Sequence, residues 1–125
     1  MSALGGIYFF DNRPVDRDFL ISLGGKLSSH GADGGSEVVS GSIGIVYRAF
    51  HTNCQSRVEN QPFVSREGQI LAWDGRLDNR EEIISLLDDE LGEDQTDAAI
   101  VMALYLRLGI DFLWRRGVIH VDIRL

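Results

Sequence analysis

The most constraining stretch of the chain is Trp73-Asp74-Gly75-Arg76-Leu77-Asp78-Asn79-Arg80-Glu81-Glu82. The apolar run Ile70-Leu71-Ala72-Trp73 reads as a buried strand, and Asp74-Gly75 breaks it. Gly75 has no Cβ, so its backbone can reach φ > 0 and approach a ligand closely. Asn79 then offers a side-chain oxygen to the first N–H groups of a helix, and Glu82 completes an approximate capping box. A strand, a glycine turn and a capped helix can aim backbone N–H groups into a cleft. The same pattern also describes an ordinary strand-to-helix turn.

The 125 residues suffice for one core. Twelve basic against nineteen acidic residues give a formal charge of −7, which argues against a nucleic-acid groove or an anionic membrane as main partner. No apolar run approaches membrane-span length and no basic segment leads into an apolar one, so the expected location is cytoplasmic. Cys54 is the only cysteine, which excludes an intrachain disulfide and a cysteine-rich zinc site. His30, His51 and His120 lie far apart without Cys or Glu at ligand spacing, so no metal is expected. Asp88-Asp89-Glu90 reads as a solvated helix end, and Trp73 and Trp114 as core residues.

Taken in order, Leu4–Phe10 has strand length and Asp11–Pro14 turns it. Val15–Ser29 carries Phe19, Leu20, Leu23 and Leu27 at helical spacing. His30–Gly35 is a glycine-rich loop. Glu37–Ser40 and Ser42–Phe50 are β segments meeting at Gly41, with Ile43, Ile45 and Tyr47 alternating along the second. Residues 61–64 and 69–73 form a hairpin through Ser65–Gly68. Arg80–Glu90 is helical, burying Ile83, Ile84 and Leu87. Thr96 or Asp97 caps a last helix with an Ile100, Val101, Leu104, Tyr105, Leu108 stripe that ends at Gly109. Strands interleaved with one helix and followed by two more predict an α+β sandwich.

This order of pieces resembles the N-terminal glutaminase domain of glutamine-hydrolysing asparagine synthetases, which are class II, N-terminal-nucleophile glutamine amidotransferases. The resemblance runs from residue 1 to 116 through Ser2–Tyr8, Ser29–Gly34, Gly44–Phe50, Gln61-Pro62, Trp73–Glu82 and Thr96-Asp97. It implies an αββα sandwich of antiparallel sheets with helices outside, C-terminally incomplete. It also implies that removing Met1 leaves residue 2 as nucleophile and amine base, here Ser2 where the family has Cys. By the same resemblance Asp74 and Gly75 stand at the oxyanion hole, which the family builds from an Asn side chain and the next backbone N–H. Arg48, Gly75, Arg76 and Asp97 stand at or beside the positions that hold glutamine, Asp97 matching the carboxylate that binds the α-amino group.

Several of these positions depart from the family's chemistry. An ionised Asp74 only accepts hydrogen bonds and brings negative charge where negative charge develops. The arginine that grips the α-carboxylate falls at Ala49, and alternation along a strand turns Arg48 to the other face. The family's Glu after the glycine is Arg76, and its loop arginine is His30. Gly31, Asp33, Gly75 and Asp97 are retained. The expectation is a glutaminase scaffold with impaired glutamine hydrolysis.

After Arg116 the resemblance stops, and 117–125 reads as a divergent tail with strand-like alternation. Strands missing from the second sheet would leave apolar face and edge exposed, favouring a homodimer or aggregation. No synthetase domain follows, so no cofactor is expected here; ATP and magnesium would belong to that domain. Three functions compete: a glutamine-hydrolysing enzyme acting on glutamine or a related amino acid, a non-catalytic partner of a separate synthetase chain, and a truncated fragment without function.

Overall fold

The computed structural model describes residues 1–87 and 91–109. Among the described residues the fold is α+β, with small antiparallel sheets and three helices, and the chain divides into two compact units, 1–74 and 75–125. The expectations for Asp88–Glu90, Trp114, His120, the boundary at 116 and the tail strand lie outside the described residues.

The first unit is built on β1 (Ala3–Tyr8), α1 (Arg17–Leu27), β2 (Gly35–Ser40) and β3 (Ile43–Arg48). β3 is central, antiparallel to both neighbours, in the order β1-β3-β2. Ala3 pairs with Arg48 and Tyr8 with Ile43, so the chain's second residue enters the sheet beside the C-terminal end of β3. The β2–β3 turn needs Gly41, whose φ of 58° lies in the left-handed region.

The helix α1 covers one sheet face. A Cβ at Gly44 would fall 2.6 Å from Leu20 Cδ1 and 2.8 Å from Val15 Cγ1, so the missing side chain is what admits them. Leu23 and Leu27 pack over Gly5 in the same way. Leu20 is fully buried, whereas Phe19, expected on the core face, is exposed. The helix is shorter than its apolar pattern at both ends. Asp16 caps it by accepting from Asp18 N at 2.9 Å, and Ser28 closes it by donating to Gly25 O from both its backbone N–H and its hydroxyl. Leu4, Tyr8 and Ile43 occupy the other sheet face and are exposed.

β4 (Phe63–Val64) and β5 (Ile70–Leu71) form the expected hairpin, with Phe63 opposite Leu71. Its turn is closed by Ser65 N donating to Gln69 O at 2.9 Å and Gly68 N to Ser65 O at 3.1 Å. Gln61 is buried and locks the hairpin base: its Oε1 accepts from Trp73 N at 2.5 Å and its Nε2 donates to Trp73 O at 2.7 Å. Both backbone groups of Trp73, at the end of an incoming strand, are thereby satisfied by one amide.

The second unit holds α2 (Arg80–Leu87) and α3 (Asp97–Leu108). Asn79 precedes α2 as expected and its carbonyl accepts from Ile83 N at 3.2 Å. Ile83 and Leu87 are buried on α2, and Ile100, Val101 and Leu104 on α3; Tyr105 and Leu108, expected in the apolar stripe, are exposed. Thr96 caps α3 through its hydroxyl, and Gly109 ends it at φ 73°. Among the described residues no helix is long and apolar enough to cross a membrane.

Candidate functional site

Residue 2 gathers the polar groups of the first unit. Ser2 lies one position before β1, and the register sets it beside the chain that leaves β3. β3 stops at Arg48 because the next N–H groups turn elsewhere. Ala49 N donates to Gly34 O at 2.8 Å, and Phe50 N donates to Ser2 Oγ at 3.2 Å. Tyr47, on the face opposite α1, directs its hydroxyl to the same Oγ at 2.9 Å. Ser2 N in turn donates to Asp74 Oδ1 at 3.2 Å. Three groups distant in sequence therefore fix the nitrogen and the Oγ of residue 2.

The charge around Ser2 is negative. Asp74 is exposed, whereas Tyr47 is buried. Burial pushes the Tyr47 phenol up from its ordinary pKa; Glu59 and Asp74 push the same way, and the hydrogen bond with Ser2 opposes them. Tyr47 thus stays a neutral phenol able to donate. The expected role of Asp74 at an oxyanion hole changes character: its carboxylate accepts from the nitrogen of residue 2, on the amine side of the nucleophile. In a chain lacking Met1 that nitrogen is the α-amine, and the Asp74 carboxylate can accept from its N–H.

The residues expected to hold substrate are otherwise engaged. Arg48 is on the α1 side, as strand alternation requires, and its Nε donates to Gly24 O at 2.9 Å. Ala49 is buried and brings no charge. The glycine-rich loop is fastened to the end of β3: Asp33 N donates to Ala49 O at 3.0 Å, and Asp33 Oδ2 accepts from His51 N at 2.7 Å. A Cβ at Gly31 would lie 2.3 Å from Arg48 O, so this loop is tight against backbone. His30 is exposed and its Nδ1 bonds the Ser29 hydroxyl.

In the second unit, Gly75 is exposed and Arg76 reaches out to Asp78, with Nε 2.9 Å from Oδ1 and both side chains over three-quarters exposed. Such a pair contributes little to stability. Asp97 is buried with both oxygens occupied: Oδ2 accepts from Leu77 N at 3.1 Å, and Oδ1 pairs with the Arg80 guanidinium. Arg80 also donates to Gln95 O at 2.6 Å. The carboxylate positioned by the resemblance to meet an amino group is therefore met by a guanidinium of its own unit.

Among the described residues no three His, Cys, Asp or Glu side chains converge as a metal site. Tyr47 is the participant that sequence reasoning left unassigned. Its alternation with Ile43 and Ile45 marks its sheet face, but only the β1–β3 register brings that face to Ser2. Comparison with protein-family profiles, with characterised proteins and with solved structures finds no match.

Proposed function

We propose that this chain is a divergent domain of the class II glutamine amidotransferase type, asparagine-synthetase-like, with Ser2 in the place of the nucleophile and with impaired hydrolysis of free glutamine. On this reading its frame is an N-terminal-nucleophile αββα sandwich and its location cytoplasmic. The observation that carries it is the convergence of Tyr47, Phe50 N and Asp74 on the nitrogen and Oγ of Ser2. An activated nucleophile is held in this manner, by neighbours that fix its oxygen and its base. The impairment follows from the grips. Arg48 is bonded to Gly24, Ala49 is neutral, Arg76 is paired with Asp78, and Asp97 is occupied by Leu77 and Arg80. Arg48, Arg76 and Asp97 each have a partner within their own unit, and Ala49 carries no charge.

Ammonia release from glutamine, compared between the wild-type chain and Ser2→Ala, tests this reading. A slow release abolished in Ser2→Ala is the expected result; equal rates in the two proteins would remove Ser2 from the chemistry. A second reading is favoured by the Arg80–Asp97 pair specifically: a non-catalytic domain that partners a separately encoded ATP-dependent synthetase. Co-purification with a synthetase, together with no Ser2-dependent ammonia release, would select it.

A further inference from the structure

We propose that Tyr47 is a catalytic residue of the Ser2 centre, and that together with the Phe50 N–H it makes Ser2 Oγ an acceptor for activated acyl groups such as aryl esters. The proposal rests on the Ser2 reading but does not require glutamine to be a substrate.

Two donors reach one oxygen: the Tyr47 hydroxyl at 2.9 Å and the Phe50 N–H at 3.2 Å. A serine hydroxyl has two lone pairs and one proton. Donors to both lone pairs stabilise negative charge on Oγ as its proton leaves, and the pair freed by that departure is the one that attacks the acyl carbon. Hydrogen bonds to a charged oxygen are about twice as strong as those to a neutral one, so both contacts strengthen as the proton leaves. Interactions that tighten towards the transition state are the ones that accelerate a reaction.

Tyr47 is suited to this role by its surroundings. It is 8% exposed, and burial with the nearby carboxylates Glu59 and Asp74 opposes its ionisation. A tyrosinate would accept rather than donate, so keeping the phenol neutral keeps the donor. Its ring sits in the central strand of the sheet, and a donor on a strand is held more rigidly than one on a loop. Ser2 is tethered on the other side through its nitrogen to Asp74.

An aryl ester suits this centre because it needs no amino-acid grip, and the arginine and aspartate that would supply one are engaged elsewhere. In the step, the bond from Ser2 Oγ to the acyl carbon forms while the bond from that carbon to the aryl oxygen breaks. The aryl oxide leaves with the bonding pair, and the hydroxyl proton passes to the α-amine of residue 2 in a chain lacking Met1. The product is an acetyl ester on Ser2 when p-nitrophenyl acetate is the probe.

The test is stopped-flow p-nitrophenolate release from p-nitrophenyl acetate at neutral pH, on the full chain and on Ser2→Ala and Tyr47→Phe. Loss of Met1 is verified by intact mass, and retained folding by thermal transition. The Ser2→Ala protein keeps an α-amine, so subtracting its release isolates the hydroxyl. A stoichiometric burst, with acetyl found on residue 2 by peptide mass spectrometry, is expected in wild type and absent in Ser2→Ala. Tyr47→Phe deletes a single oxygen, and its Ser2-dependent burst rate should fall roughly 10- to 100-fold, the range for a hydrogen bond to a charged group. A wild-type burst no larger than that of Ser2→Ala, or acetyl found elsewhere than residue 2, overturns the proposal without any Tyr47 variant. An equal burst in Tyr47→Phe overturns the role of Tyr47 while leaving Ser2 as nucleophile. A burst with ester alongside no ammonia from glutamine sustains the proposal and sinks glutamine hydrolysis.

Discussion

Replacing Asp97 with alanine separates a carboxylate that holds its own unit together from one kept free for a ligand. Asp97 and Leu77 are both at least nine-tenths buried, and Leu77 N reaches Oδ2 at 3.1 Å. Removing the acceptor leaves a buried N–H without its partner, a loss of about 1–2 kcal/mol. The Arg80 guanidinium loses its anion in a setting where its side chain is 25% exposed. A fully buried broken pair would cost about 3–5 kcal/mol and an exposed one under about 1, so an intermediate 1–2 kcal/mol applies. The acid in the first turn of α3 adds a few tenths. The sum is about 3 kcal/mol, or roughly a 10 °C fall in Tm for a chain of this size. Asp97→Asn keeps an oxygen for Leu77 N–H and loses the charge, so it should cost about half as much. Urea unfolding followed by circular dichroism measures both, and hydrogen exchange at the Leu77 amide reports the local bond. If both variants unfold within about 0.5 kcal/mol of wild type and Leu77 exchange is unchanged, the carboxylate is not the anchor described, and the argument that it is closed to an amino group fails.

Four further outcomes are expected. Gly31→Ala places a Cβ 2.3 Å from Arg48 O and 2.5 Å from its carbonyl carbon, and since both are backbone atoms the cost should reach about 3 kcal/mol; Gly25→Ala meets nothing within 4 Å on a helix and should gain about 0.5–1 kcal/mol, both read by urea midpoints. Gln61→Leu strips the N–H and C=O of Trp73 of their common partner and should cost about 2–4 kcal/mol, read as a lowered Tm and a shifted Trp73 emission. Burial holds the Tyr47 pKa above the ordinary tyrosine value in the folded chain, so the unfolded chain releases that proton first as pH rises. The stability Tyr47 contributes is complete below about pH 10 and is lost as pH climbs through its folded-state pKa; the alkaline unfolding curve of Tyr47→Phe should lack that loss, and its absorbance titration at 295 nm should lack the highest step.

Much of the local structure was legible because it depends on short-range chemistry. The first strand (expected at Leu4–Phe10, found at Ala3–Tyr8), the Gly41 turn, the Ser65–Gly68 hairpin, the Thr96 cap and the Gly109 stop each follow from residues within a few positions of one another. The α+β class and the division of apolar residues between helix and strand periods came from the same source. Errors fell where a neighbour in space decided. Phe19 fits the helical stripe but is exposed, because Gly44 and Gly5 open room only beneath Leu20, Leu23 and Leu27. β3 ended at Arg48 because Ala49 N and Phe50 N found partners in the 30–35 loop and in Ser2.

The sequence by itself determined which residue types stand near the chain's start and after Trp73, and strand alternation alone turned Arg48 away from the face of Tyr47. Tertiary structure alone decided what those side chains do. Antiparallel register carries Tyr47 to Ser2 across 45 positions, and the folding of the first unit brings Asp74 to the Ser2 nitrogen across 72. Folding of the second unit closes Asp97 with Leu77 N and Arg80. A carboxylate is the same group in a sequence whether it anchors a backbone, pairs with a guanidinium or waits for a ligand, since that choice is made by which donors the fold brings within hydrogen-bond distance.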